Sequence, residues 1–178
     1  MKLLVGYATT EGQARKIARH VADRLSDLGH MVELLPLTEA EGLDLARFER
    51  AILVASVHVG HYQTALAAFV VAQREALAAM PTLFLSVSLA AAGHDAADWL
   101  GLDEVLADFT EATGWTPGHV EQVAGAYAPE RYDILRRLVM RRIVARKDPG
   151  ADLDHGREYT DWPALDGAVD GWLEALGV

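Results

Sequence analysis

The sequence predicts a doubly wound α/β domain built on a five-stranded parallel sheet of order 2-1-3-4-5. Three observations predict it: five short apolar runs with strand composition, helical patterns between them, and a polar turn that ends the first run and opens the first helix. At 178 residues the chain suits one domain, residues 1–178, with an ample core. Strands that alternate with helices join through right-handed crossovers, and 2-1-3-4-5 is the commonest of the few topologies left.

The first run is Lys2–Tyr7, and the helix after it carries Ile17, Val21, Leu25 and Leu28 on one stripe before closing at Gly29. Met31–Pro36 is the second strand, followed by a short helix near Glu39–Arg47. Ala51–Ser56 is the third, and a helix over Thr64–Ala79 turns Leu66, Phe69, Val70 and Leu77 inward. Thr82–Ser88 leads into a helix over Ala97–Thr113 that closes at Gly114, and Val120–Ala126 is the fifth strand. The stretch 127–159 is far longer than an ordinary connection. The last helix, Trp162–Leu176, has Leu165, Val169, Trp172 and Leu176 inward, with Asp161 as its N-cap ahead of Pro163. Trp99, Trp115, Trp162 and Trp172 are expected to pack in the core or between helices.

Composition removes several function classes. With no cysteine there are no disulfides, thiolate metal sites, cysteine nucleophiles or iron–sulfur clusters. His58 and His61 share a loop, and the other histidines are scattered, so no metal is expected. A net charge of -10 opposes nucleic-acid binding. No apolar stretch is long enough to span a bilayer, and the strand that starts beside Met1 leaves no room for a signal peptide, so a cytoplasmic location is expected. Charge is segregated, however: Arg131, Arg136, Arg137, Arg141, Arg142, Arg146 and Lys147 face the single acid Asp133 within 131–147, a local balance of +6.

The first βα turn reads Ala8-Thr9-Thr10-Glu11-Gly12-Gln13-Ala14. A hydroxyl-rich turn at a helix start directs unpaired N–H groups and the positive end of the helix dipole at one spot. Its single glycine and missing Gly-Lys-Ser/Thr ending fit neither a nucleotide P-loop nor a dinucleotide turn. It suits a phosphate monoester such as that of FMN, although any doubly wound protein needs a polar turn here, and the loop alone leaves both readings open. In the 2-1-3-4-5 order the ligand crevice lies between strands one and three, so 8–14, 57–63 and 89–95 must build the site. The second loop offers Ser56, Val57, His58, Gly60, His61 and Tyr62, and the third offers Ser88, Leu89 and Ala90. Apolar walls and main-chain groups of this kind suit an isoalloxazine ring, with Gly60 allowing close approach and Tyr62 an aromatic face.

In these residues the chain resembles the flavodoxin superfamily, and within it the menaquinone-dependent protoporphyrinogen oxidase family. The resemblance is carried by the Thr9–Gln13 turn, Ala55-Ser56 with Gly60-His61-Tyr62, Met80-Pro81 with Ser86-Val87, Gly114-Trp115 with Pro117, Ala124-Gly125-Ala126-Tyr127, the basic insertion, and Tyr159-Thr160-Asp161-Trp162. It implies a flavodoxin-like three-layer sandwich with a long insertion after strand five. It also implies an FMN enzyme of haem biosynthesis that oxidises protoporphyrinogen IX to protoporphyrin IX and passes electrons to a membrane quinone. FMN contacts then fall on Thr9, Thr10, Glu11, Gly12 and Gln13 at the phosphate, on Ser56, Gly60, His61 and Tyr62 near the ring, and on Ser88. Ala14 stands where such loops end in a hydroxyl, so one contact worth about 0.5–1.5 kcal/mol is expected to be missing, and Ser88 stands where a larger amide is expected.

A flavin carries its own electrophile, so no nucleophile is expected, and His58 and His61 are candidate proton shuttles. Tyr132–Arg146 reads as a helix without a clean apolar stripe. Its Arg136, Arg137, Arg141 and Arg142 are candidates for porphyrinogen propionates, and 131–147 for peripheral contact with the inner face of the cell membrane. Packing on the sheet edge or across a homodimer interface is the structural alternative. Two other functions compete: an electron-carrier flavodoxin or FMN-dependent quinone reductase, and a cofactor-free binding module. A phosphoacceptor domain is disfavoured, because strand one ends without an acidic pair and strand three ends in Ser56.

Overall fold

The computed structural model describes residues 1–175 and 177. Strands β1 (Lys2–Ala8), β2 (Met31–Pro36), β3 (Arg50–Ser56), β4 (Thr82–Ser88) and β5 (His119–Ala124) form one sheet, all parallel, in the order 2-1-3-4-5. Val5 stands between Leu34 and Ile52, and Leu85 pairs with Val54. Because successive side chains in a strand point to opposite faces, Leu3 and Val5 join one core and Leu4 the other. Helices α1 (Gln13–Asp27) and α6 (Trp162–Ala175) seal the first core through Ile17, Val21, Leu25, Val169 and Trp172. Helices α2 (Thr64–Ala72), α3 (Arg74–Ala78) and α4 (Ala96–Thr113) seal the second through Leu66, Phe69, Leu77 and Phe109. Each such side chain taken wholly from water contributes about 1.5–3 kcal/mol.

The Asp161 cap is present, its Oδ1 accepting from the Ala164 N–H at 3.0 Å. Some expectations need correction. No α-helix forms over 39–47; two single 3-10 turns, Leu37–Glu39 and Leu45–Arg47, flank Gly42 at φ 72, which breaks helical continuity while Leu37, Ala40, Leu45 and Phe48 still reach the core. The helix expected over 64–79 is interrupted at Gln73, whose side-chain amide donates to the Leu43 carbonyl at 2.8 Å. Leu28 is the C-cap of α1 and stands 51% exposed rather than on the inward stripe. Trp99 also remains partly exposed, donating its indole N–H to the Gly93 carbonyl, whereas Trp115 and Trp172 are buried. Leu176 lies outside the described residues.

Strand five stops at Ala124, two residues early, because Gly125 turns the chain into β6 (Ala126–Tyr127), which pairs antiparallel with β7 (Arg157–Glu158). Between them a 3-10 turn, Pro129–Arg131, leads to α5 (Ile134–Lys147), capped by the Asp133 carboxylate on the Arg136 N–H at 2.8 Å. A small third core of Tyr127, Tyr132 and Val144 ties this insertion down. Among the described residues no helix is long and apolar enough to cross a membrane.

Candidate functional site

The carboxyl ends of β1, β3 and β4 open into a cleft of about 350 Å³, and α5 forms its far wall. That volume lies within the range of small-molecule sites.

The first wall is the turn after β1. Gly12 is the N-cap of α1 at φ 97, a left-handed conformation that side chains rarely adopt, and its N–H donates to Thr9 Oγ1 at 2.8 Å. The neighbouring amides of Thr10, Glu11 and Gln13 have no acceptor among the described residues. The first turn of α1 holds no acid, so the dipole end is uncompensated. Arg131 reaches over the same turn: its Nη1 lies 2.6 Å from where a Cβ on residue 12 would stand, and no carboxylate among the described residues pairs with it.

The second loop is a tight hairpin. His58 and His61 exchange main-chain hydrogen bonds of 2.7 and 3.1 Å around Val59 at φ 50 and Gly60 at φ 75, a pair of positive φ values that two-residue hairpins require. Glycine meets that need freely, but β-branched Val59, 81% exposed, does not. Val59→Asn is therefore expected to raise stability by about 1 kcal/mol, visible as a higher midpoint in urea unfolding. Behind the hairpin, Gln63 donates to Ser56 Oγ at 2.8 Å and to Thr10 Oγ1 at 3.2 Å, while its Oε1 is buried without a donor among the described residues.

The far wall explains why the insertion exists. Arg136, Met140 and Ile143 share one stripe of α5 and face the cleft. The Arg136 guanidinium lies 4.8 Å from the Tyr132 ring centre and donates both to Glu11 Oε1 and, at 2.6 Å, to His58 Nδ1. A guanidinium has no lone pair to offer, so Nδ1 is the acceptor and the ring proton of His58 sits on Nε2. Burial pushes the Tyr132 phenol up to about 12, which keeps it an O–H group.

Of the expected contacts, Thr9, Thr10, Glu11, Gln13, Ser56, Val57, His58, Gly60, Ser88, Leu89 and Arg136 line this cleft. Gly12 faces an adjoining depression with Lys16 and Arg131. Ala14 lies in the first turn of α1 and is wholly buried on its core side, so no side chain there reaches a ligand. Tyr62 offers no ring face: it packs 5.1 Å from both Phe84 and Phe109, its hydroxyl shares a 2.8 Å hydrogen bond with Ser86, and burial raises its pKa. His61 and Ala90 lie outside the lining, and Ser88 Oγ accepts from the Ala91 N–H at 3.1 Å. Arg141 pairs with Asp154, Arg137 is exposed, and Arg142 belongs to a groove on the outer side of α5. The lining residues missed by sequence reasoning are Val59, Val87, Gly125, Ala126, Tyr132, Val139, Met140 and Ile143. The 136-140-143 spacing was the available signal.

A family model described as flavodoxin domain matches residues 4–153. This chain belongs to the flavodoxin domain family. It is 30% identical over 164 residues to the protoporphyrinogen IX dehydrogenase (quinone) of Escherichia coli (strain K12), covering 91% of this chain and 89% of that protein. It is also 30% identical over 167 residues to the Leishmania major protein of the same name, covering 92% and 71%. Among solved structures, a short-chain flavodoxin associated with a bacterial microcompartment matches with TM-score 0.56 at 15% identity over 98% of both chains. The rubredoxin oxygen:oxidoreductase of Desulfovibrio gigas matches with TM-score 0.51 at 14% identity, covering 99% of this chain and 37% of that one. These two likenesses concern the fold alone.

Proposed function

We propose that this chain is an FMN-dependent dehydrogenase that oxidises protoporphyrinogen IX to protoporphyrin IX in haem biosynthesis and passes the electrons to a quinone at the inner face of the cell membrane. The observation that carries the reading is a cleft whose chemistry is divided as FMN is. Open amides stand at one end, Arg131 lies over the same turn in the adjoining depression, and Val57, Val87, Leu89 and Met140 supply apolar walls. Relatives that share 30% identity along nearly the whole chain carry the name of this activity.

The residues present fit the cofactor. Thr9, Thr10 and the amides of Glu11 and Gln13 hold the phosphate, and the orphaned Gln63 Oε1 is an acceptor for a ribityl hydroxyl. When bound, the flavin supplies an acceptor for hydrogen from the substrate carbon and a donor of electrons to quinone. The chain's own residues position and exclude water: the α5 wall of Val139, Met140 and Ile143 covers the cleft. Arg136 is placed to meet a substrate carboxylate in exchange for Glu11, since a guanidinium matches either bidentately. His58 is the proton carrier of the two loop histidines: once Arg136 turns from its Nδ1 to a substrate carboxylate, that nitrogen is free to take a proton while Nε2 gives up its own. His58→Gln with flavin bound and turnover unchanged removes that role.

The direct test is anaerobic mixing of the flavin-loaded protein with protoporphyrinogen IX. Loss of oxidised flavin absorbance supports the reading; bound flavin that stays oxidised assigns the site to an electron carrier instead, and a protein that binds no flavin leaves only a cofactor-free module. The cation at the anionic end is tested separately. Arg131→Ala is expected to weaken FMN about tenfold and to leave riboflavin, which lacks the phosphate, unaffected in fluorescence titration.

A further inference from the structure

The insertion returns to the body of the domain on the turn that opens α1. Arg136 donates to Glu11, Arg131 lies over Gly12, and Glu158 of β7 meets Gln13 and Lys16, so consecutive residues of that turn are each met by a side chain of the insertion. Glu158 uses both oxygens. Its Oε2 accepts from Lys16 Nζ at 2.5 Å and from Gln13 Nε2 at 3.1 Å, and its Oε1 accepts from the Trp162 indole N–H at 2.9 Å. Lys16 Nζ also lies 5.3 Å from the Trp162 ring centre. Burial raises the Glu158 carboxyl, but the hydrogen bonds from Lys16, Gln13 and Trp162 outweigh it and hold the group below the usual carboxylate range. The Gln13 amide donates as well to Thr160 Oγ1 at 2.9 Å, and Thr160 donates to the Ala124 carbonyl at 2.6 Å. Both side-chain hydrogens of Gln13 are thereby spent inside the protein.

The ladder of β7 with β6 has two residue pairs, too few to stand alone. Arg157 and Tyr159 flank Glu158 and both bind Asp148, which belongs to the insertion itself. The Glu158 carboxylate is what ties β7 to α1 and α6. An isolated surface ion pair would hold little; this carboxylate is shared by donors from two helices, which fixes its geometry. We propose that Glu158 is a positioning residue that couples the anion-binding turn to the insertion. An anion seated on the amides of Glu11 and Gln13 stills the start of α1, Glu158 carries that order into β7, and the insertion that walls the cleft is held in turn. Linkage makes the effect reciprocal, so an ordered insertion strengthens binding at the turn. Glu158 lies outside the cleft lining and acts through Gln13 and Lys16. The coupling rests on the flavin reading only for the identity of the anion, the phosphate of FMN.

Hydrogen–deuterium exchange of the full chain tests it, first without cofactor. Glu158→Ala is expected to speed exchange about tenfold in 126–133 and 157–160 through loss of the bonds to Gln13 and Lys16. Glu158→Gln keeps an acceptor for both and is expected to recover most of the protection. Lys16→Met removes one donor and is expected to move the same segments less, with circular dichroism unchanged in all three variants. On addition of FMN the wild-type protein is expected to exchange more slowly in 157–160 as well as in 8–14, although 157–160 lies outside the cleft lining. Riboflavin, which lacks the phosphate, is expected to protect 157–160 less, and in Glu158→Ala the FMN effect is expected to stop at 8–14. Exchange in 157–160 that is the same in the alanine variant as in wild type, or that FMN slows equally in both, overturns the proposal. A wild-type protein that binds no flavin fails the cofactor reading instead, and the cofactor-free comparison still decides whether Glu158 joins the turn to the insertion.

Discussion

Gly12→Val is expected to lower FMN affinity about 100-fold while riboflavin affinity changes little, measured by quenching of flavin fluorescence on titration. Two consequences of the side chain add together. Residue 12 holds φ 97, where a β-branched residue costs about 1–2 kcal/mol, so the turn relaxes and the open amides of Thr10, Glu11 and Gln13 on either side of it shift. A Cβ would also stand 2.6 Å from Arg131 Nη1, and its methyl groups would displace the guanidinium. Losing the alignment of two charge-assisted hydrogen bonds accounts for about 3 kcal/mol, which is the expected factor. Gly12→Ala, with the same φ problem but less bulk, is expected to fall between the two. FMN binding by the valine variant at wild-type strength would remove this turn as the seat of the anion.

The parts of this site that were legible in the sequence are those set by local rules. Five strands and their order follow from run lengths and crossover geometry, and the order fixes which loops meet, so Thr9, Thr10, Ser56, His58 and Ser88 were placed together without a structure. What local rules do not reach is which way a side chain turns once the cores compete for it. Tyr62 reads as a ring-facing aromatic in a loop, but Phe84, Phe109 and Ser86 offer it apolar contact and a hydroxyl partner, and it is drawn under the loop instead. The segment 39–47 holds enough apolar residues for a helix, yet their 3, 5, 3 spacing around Gly42 suits two turns. On α5 the apolar residues fall on two faces, which hides a stripe when the whole helix is scored as one pattern. The structure separates them: Met140 and Ile143 inward to the cleft, Ile134, Leu135 and Leu138 outward. A helix that serves two apolar neighbours has no single amphipathic signature.

Trp115→Ala is expected to destabilise the protein by about 3–5 kcal/mol in urea unfolding. Trp115 is 1% exposed and meets Phe84 and Phe109 edge-on at 6.1 and 6.4 Å, so truncation opens a cavity in the middle of an aromatic cluster. Phe is expected to be far milder than Ala, because the indole Nε1 is buried with no acceptor among the described residues. Replacing it with a ring that has no N–H removes an unmet donor whose burial costs about 1–3 kcal/mol, and this offsets much of the lost volume. The consequence reaches the cleft through Tyr62, which rests on the same two phenylalanine rings and roots the loop that carries His58 and Gly60. Loosened aromatic packing therefore predicts weaker flavin binding in the alanine variant at temperatures well below its unfolding midpoint, with the phenylalanine variant close to wild type. Equal flavin affinity in all three proteins would show that the hairpin is held from the cleft side, by Gln63 on Ser56 and Arg136 on His58, and does not depend on the core beneath it.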